Sequence, residues 1–161
     1  MEPDVASRRR AREYALQILY VIDIVARPPK DAQNELWSLL MDGDGVDELR
    51  PPESEEVEFA QRLVEGVVAA REQLDEHIQT ASTNWRLARM PVVDRNILRL
   101  ASYELSECPD IPANVSVNEA IELAKHFGGS DSRAFVNGIV DRVGRSLGRL
   151  DSRRGRARRP D

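Results

Sequence analysis

Six stretches of this chain repeat their apolar residues at the three- and four-residue spacing of an α-helix, and none alternates with the two-residue period of a half-buried strand. They run from Arg8 to Ala26, Asp31 to Met41, Ser54 to Thr80, Pro91 to Glu107, Ser116 to Phe127 and Asp131 to Leu150. Pro28-Pro29, Gly43 to Gly45, Pro51-Pro52, Pro109 to Pro112 and Gly128-Gly129 all fall between them, where breakers belong. The expected fold class is all-α. Ser116 and Glu119 have the S-x-x-E spacing of a capping box, Pro91 suits a first helical position, and Gly128 suits a carboxyl cap.

At 161 residues the chain fits one domain, expected over 1–150, followed by a disordered basic tail over 151–161 that has no apolar face to bury. Asp42 to Glu56, rich in Gly, Pro and acid, reads as a solvated connector. No apolar run approaches the ~20 residues of a spanning helix and the amino end lacks a secretory cleavage pattern, so a cytoplasmic location without membrane attachment is expected. Cys108, the single cysteine, has no partner within the chain and is expected to be a buried thiol.

The net charge of −5 conceals a polarity. Met1 to Arg12 carries +2, Glu13 to Asp141 carries −13, and Arg142 to Asp161 carries +6. Arginine makes up 21 of the 23 basic residues and the two ends hold 12 of them, a clustering that points to an anionic partner at the ends.

On the first helix Ala15, Ile18, Leu19, Ile22, Val25 and Ala26 share the core-facing arc. Arg9, Glu13, Gln17 and Tyr20 lie together on the opposite side, with Arg10 beside them. Tyr20 then either packs beneath another helix or offers a stacking surface for an unpaired base; arginines that grip phosphates plus an exposed ring are a minimal single-stranded RNA surface. On the last helix Val136, Ile139, Val140, Val143 and Leu147 form the core stripe, Phe135 sits at its edge, and Arg142, Arg145 and Arg149 share a polar face that reads first as solvated surface. On the Pro91 helix Glu104 falls inside the arc of Val93, Ile97, Ala101 and Leu105, which calls for a buried ion pair or hydrogen bond.

His77 and His126 have no metal-ligand spacing, and no nucleotide loop, nucleophile elbow or zinc-protease string occurs. No cofactor, metal or enzymatic activity is expected. A pure protein-interaction module, with Arg8 to Arg12 only a solvated helix start, is the competing reading, and a helical RNA-modifying fragment a distant third.

Three stretches carry a pattern in the same order: Arg8 to Tyr20 (RRRAREYALQILY), Val93 to Leu105 (VDRNILRLASYEL), and Val115 to Gly128 (VSVNEAIELAKHFG) continuing through Asp131-Ser132 and Phe135 to Gly138 (FVNG). Together they closely resemble the family of the transcription antitermination factor NusB. The resemblance implies about seven helices in two small bundles packed roughly perpendicular, with the first helix joining them. It implies binding, with the ribosomal protein NusE, to single-stranded boxA RNA of nascent ribosomal transcripts, within an RNA polymerase antitermination complex. Carried over by position, the basic amino end is Arg8, Arg9, Arg10 and Arg12, and the RNA-facing aromatics are Tyr20, Phe127 and Phe135. Gln17, Arg99 and Asp131 match further positions near the RNA or partner surface, and Asp94 matches an acidic position on the NusE-facing side. The chain departs from the pattern between about Arg27 and Ser54 and after Leu150. The same helical domain also precedes some ribosomal RNA cytosine methyltransferases, whose catalytic domain has no counterpart in this sequence.

Overall fold

The structure, a computed structural model, describes residues 5–41 and 51–151; most of the Asp42 to Glu56 connector and the basic tail beyond Asp151 lie outside the described residues. Seven α-helices are formed among the described residues: α1 (Val5–Val25), α2 (Pro29–Met41), α3 (Ser54–Ala69), α4 (Arg71–Ala81), α5 (Val92–Glu107), α6 (Ala113–Phe127) and α7 (Ser132–Ser146). A single 3₁₀ turn, Leu87–Arg89, precedes α5, and no strand occurs among these residues. The all-α expectation therefore stands. The chain divides into two compact units, one ending at Arg71 and the other beginning at Glu72, a boundary that falls within the 1–150 stretch read as one domain.

In the first unit α1 packs against α2 and α3. Ala11, Ala15, Ile18 and Leu19 are buried as the apolar arc requires, and each large side chain taken out of water contributes about 1.5–3 kcal/mol. The arc stops short of its expected end. Val25 is exposed, and Ala26 leaves the helix with a left-handed φ of 52°. That conformation costs an L-residue roughly 1–2 kcal/mol and turns the chain out of the helix. At the start of α3 the Glu56 carboxylate reaches back to accept a 2.8 Å hydrogen bond from the Glu53 backbone N–H, satisfying a donor the helix leaves open. The Ser54 to Thr80 stretch, read as one helix, is interrupted at Ala70, whose ψ of 10° departs from helical values although its N–H still reaches the Gly66 carbonyl.

In the second unit α5, α6 and α7 pack against one another. Helix α5 is enclosed on more sides than an amphipathic surface helix. Asp94, Asn96, Ile97, Leu98, Arg99, Leu100, Ala101, Ser102, Glu104 and Leu105 are all buried, so polar positions on its flanks are drawn inside along with the apolar arc.

Two helix starts differ from expectation. Pro112, not Ser116, is the N-cap of α6, so Ser116 lies one turn inside the helix. There it is buried and donates a 2.9 Å hydrogen bond to Glu104 Oε1, which supplies the partner the buried acid was expected to have. Pro91 is the N-cap of α5 rather than its first residue. Gly128 does cap α6, yet with an ordinary φ of −88°. Its need for glycine is steric: a Cβ there would collide with Ser132 and with the Ala124 carbonyl.

Helix α7 ends at Ser146 rather than Leu150, because Gly148 takes a φ of +70° and the following amides turn back to the Gly144 carbonyl. The turn brings Arg149 across to donate to the Leu105 carbonyl at 2.6 Å and the Ile111 carbonyl at 2.7 Å. Arg142 likewise donates to the Ala81 carbonyl at 3.0 Å, closing the end of α4, and Arg145 pairs with Asp141. The polar face of α7 therefore fastens the carboxyl ends of neighbouring helices.

Candidate nucleic-acid interface

The first unit presents one functional face along α1. A run of good helix formers with its apolar residues on one arc leaves the opposite side to Arg9, Gln17 and Tyr20, and all three are exposed. Tyr20 shows 40% of its surface to solvent, which removes the alternative that it packs beneath another helix. Arg8 and Arg10 are half-buried beside this face. The Arg8 guanidinium lies 4.7 Å above the Phe59 ring of α3, and Arg10 lies 5.7 Å from the Tyr14 ring. Tyr14 in turn meets Trp37 of α2 edge to face at 5.6 Å. The two guanidinium groups thus rest against aromatic rings, a cation–π arrangement in which the Arg8 Nε is itself buried.

Arg12, expected among the basic RNA-facing residues, is placed differently. It is buried, with its guanidinium 5.5 Å from the centroid of the Phe59 ring that Arg8 also meets. One residue of register explains this: Arg12 falls between Ala11 and the buried Tyr14–Ala15–Leu16 run, on the side where α3 packs. Its position suits holding Phe59 and α1 together rather than direct contact with a phosphate.

The second unit gathers a different set. Phe135 of α7 is half-buried and meets Trp85 edge to face, ring centroids 6.4 Å apart. Between them opens a cleft of roughly 480 Å³ lined by Trp85, Pro91, Asp94, Gly129, Ser130, Asp131, Ser132 and Phe135. Asp131 is exposed at its edge, and Phe127, at the end of α6, is exposed to 40%.

Arg99 and Asp94, two more residues matched by position, are both drawn inside by the enclosure of α5. Arg99 makes a two-pronged ion pair with Asp75 of α4, Nε to Oδ1 at 2.8 Å and Nη2 to Oδ2 at 3.1 Å, and donates to Asn96 at 3.2 Å. Its guanidinium is thereby spent on joining α4 to α5. Asp94 is only 3% exposed and accepts a 2.7 Å hydrogen bond from Ser132 Oγ, which in turn accepts from the Gly129 N–H at 2.9 Å. Burial pushes the Asp94 carboxyl above its ordinary range, outweighing the opposite effect of the Ser132 hydrogen bond. A carboxylate so enclosed offers no broad acidic surface to a basic protein; what it presents is confined to the cleft wall.

Trp85 was not singled out from the sequence. It stands 53% exposed on the connector between α4 and α5, and that connector is pinned: Ser82 Oγ and Gln79 Nε2 both donate to the Trp85 carbonyl, at 2.9 and 3.0 Å, while the Leu87 N–H donates to Gln79 Oε1. The available signal was a large aromatic between Asn84 and Arg86 in a stretch with no helical repeat to give it a core position. Among the described residues no group of three or more His, Cys, Asp or Glu side chains is arranged to hold a metal ion, and no helix is long and apolar enough to cross a membrane.

Fold and site together define an all-helical protein whose two units each display aromatic rings, one beside a row of arginines and one around a buried carboxylate. A family model described as the NusB family matches residues 9–145. A transcription antitermination protein NusB from Myxococcus xanthus is 44% identical over 143 residues, covering 89% of this chain and 98% of that protein. Its counterpart from an Anaeromyxobacter species is 48% identical over 140 residues, covering 87% and 91%. The chain belongs to the NusB family. Among solved structures it is similar to T. maritima NusB, with a TM-score of 0.74 and 32% identity over 93% of this chain and all of that one. It also shares its fold with a chain from a structure of the antitermination factors NusB and NusE in complex with double-stranded RNA, at a TM-score of 0.74 and 23% identity.

Proposed function

We propose that this chain is a non-enzymatic, RNA-binding transcription antitermination factor. With NusE, a small-subunit ribosomal protein, it binds boxA of nascent ribosomal RNA transcripts and helps RNA polymerase resist termination, acting in the cytoplasm. The observation that carries the reading is the α1 face, where Arg9, Gln17 and Tyr20 stand exposed on the side opposite the core with Arg8 and Arg10 alongside. Cationic side chains release counterions from the RNA backbone and an exposed ring stacks on an unpaired base, which together suit single-stranded RNA. The named relatives, antitermination proteins by description, support the same role, as does the fold shared with a NusB that was crystallised with NusE and RNA.

Phe127, Asp131 and Phe135 are assigned to RNA contact within the second unit, whereas Arg12 and Arg99 act from the interior of their own units. The test is a titration of labelled boxA RNA against this protein, the NusE partner and their mixture, with a scrambled RNA of the same composition alongside. Tighter binding of boxA than of the scrambled strand, strongest in the mixture, is expected. Equal affinity for both strands in every arm would overturn the assignment.

A further inference from the structure

A chain leaving its last helix ordinarily frays, but the end of α7 is fastened. Gly148 takes its φ of +70°, and the amides of Arg149 and Leu150 turn back to the Gly144 carbonyl at 2.8 and 3.1 Å. The Arg149 guanidinium then ties this turn to the end of α5 and to the α5–α6 connector through the Leu105 and Ile111 carbonyls. The Leu150 side chain closes over Gly144, where a Cβ would stand 2.5 Å from Leu150 Cδ1, so a larger residue would push the leucine off its seat.

Directly after this anchor the sequence sets Arg153, Arg154, Arg156, Arg158 and Arg159 against the single acid Asp161, with only Ser, Gly, Ala and Pro besides. Such a run has no ring to stack on a base and no large apolar side chain to bury in a protein partner, so charge is what it offers. We propose that residues 152–161 are a second phosphate-gripping element, which contacts the RNA backbone without regard to base sequence and whose origin on the second unit is fixed by the Gly144–Leu150 turn. The inference rests on the RNA-binding reading above. It deepens that reading by assigning part of the affinity to a stretch that lies beyond the residues 9–145 matched by the NusB family model.

Reach permits the contact. Helix α7 has 15 residues, which at ~1.5 Å each make it ~22 Å long, whereas the covalent reach of residues 152–161 is up to ~33–36 Å. Charges that begin at the carboxyl end of α7 can therefore meet a strand lying against Asp131 and Phe135 at its amino end. A fixed origin keeps their effective concentration at that surface high, as a short tether does for any second binding element.

The test uses the full chain carrying R153Q, R154Q, R156Q, R158Q and R159Q together, beside a second variant with the same five positions changed to Lys. Anisotropy titrations with boxA RNA and with a scrambled strand are run at several salt concentrations, with and without the NusE partner. The glutamine variant is expected to lose about 2–3.5 from the slope of log affinity against log salt, as three to five phosphate contacts at roughly 0.7 each would give. Both strands should weaken alike, so the preference for boxA stays. The lysine variant should keep the wild-type slope, because counterion release needs the charge rather than the guanidinium. An unchanged slope in the glutamine variant, with boxA still bound, would overturn the element and leave the RNA-binding role standing. So would a lysine variant as weak as the glutamine one, or a loss confined to boxA, which would indicate base reading. A gain in affinity for both strands would place the arginines on the chain's own acidic stretch, and the element would fall. A wild-type chain that bound no RNA in either arm would overturn the role itself and the element with it.

Discussion

The α1 face and the Trp85–Phe135 cleft both display aromatic rings, yet they are built on opposite electrostatic plans. Along α1 the charges are positive, with Arg9 exposed and Arg8 and Arg10 half-buried beside aromatic rings. In the cleft the charges are acidic, the enclosed Asp94 and the exposed Asp131 at its edge. The first arrangement suits an anionic backbone, a kind of contact that weakens with salt; the second sets an acid among rings and suits polar hydrogen-bond donors instead.

A third set of residues tests whether arginines matched by position really belong to the gripping plan. Arg99 is committed to Asp75 inside the second unit. Arg99→Ala should cost about 3 kcal/mol of folding stability, because it strands a partly buried carboxylate, as read by urea denaturation. If the variant kept full stability but lost RNA affinity, Arg99 would have to be returned to the contact surface.

Replacing Arg8, Arg9 and Arg10 together by Ala should lower the slope of log affinity against log salt by about 2, from roughly 0.7 per lost phosphate contact on a single strand. At ~0.1 M salt that is on the order of a hundredfold in affinity. Anisotropy titrations at several salt concentrations measure it, and an unchanged slope would show that these charges face only solvent. Tyr20→Ala should weaken boxA binding by about 1–3 kcal/mol while leaving the slope alone, since a stacking ring releases no counterions. A variant indistinguishable from wild type would remove Tyr20 from the surface.

The smallest effect concerns Asp94 and is read in stability rather than binding. Its folded pKa lies above its unfolded value, so the stability it supports below the unfolded pKa is lost as pH rises through the raised folded pKa. Ionised Asp94 therefore costs stability at neutral pH. Asp94→Asn should melt slightly higher than wild type at pH 7, with the difference shrinking as pH falls below the ordinary carboxylate range. A variant that melted well below wild type at pH 7 would contradict a carboxylate destabilised by burial.

The amino-acid sequence by itself determined the elements and the gripping face. Helical periodicity belongs to the local chain, so α1, α2, α5, α6 and α7 were legible to within a few residues, and the outward side of α1 followed from turning one helix about its axis. Local spacing also marked Glu104 as a buried acid in need of a partner. What the chain could not disclose locally was how many neighbours each helix would have. A helical wheel assumes one buried side, and α5 is enclosed on several, so Asp94 and Arg99 changed from surface residues to internal ones. The same limit explains Ser116, whose capping pattern was overridden when Pro112 started α6 a turn earlier. It explains Trp85 as well: a ring with no periodic partners has no legible place until the fold brings it, from about 50 residues away in sequence, to the edge of Phe135. Only tertiary structure decided that a cleft exists, because its walls come from α5, α7 and the two connectors between helices, and their proximity is a property of packing rather than of any one segment.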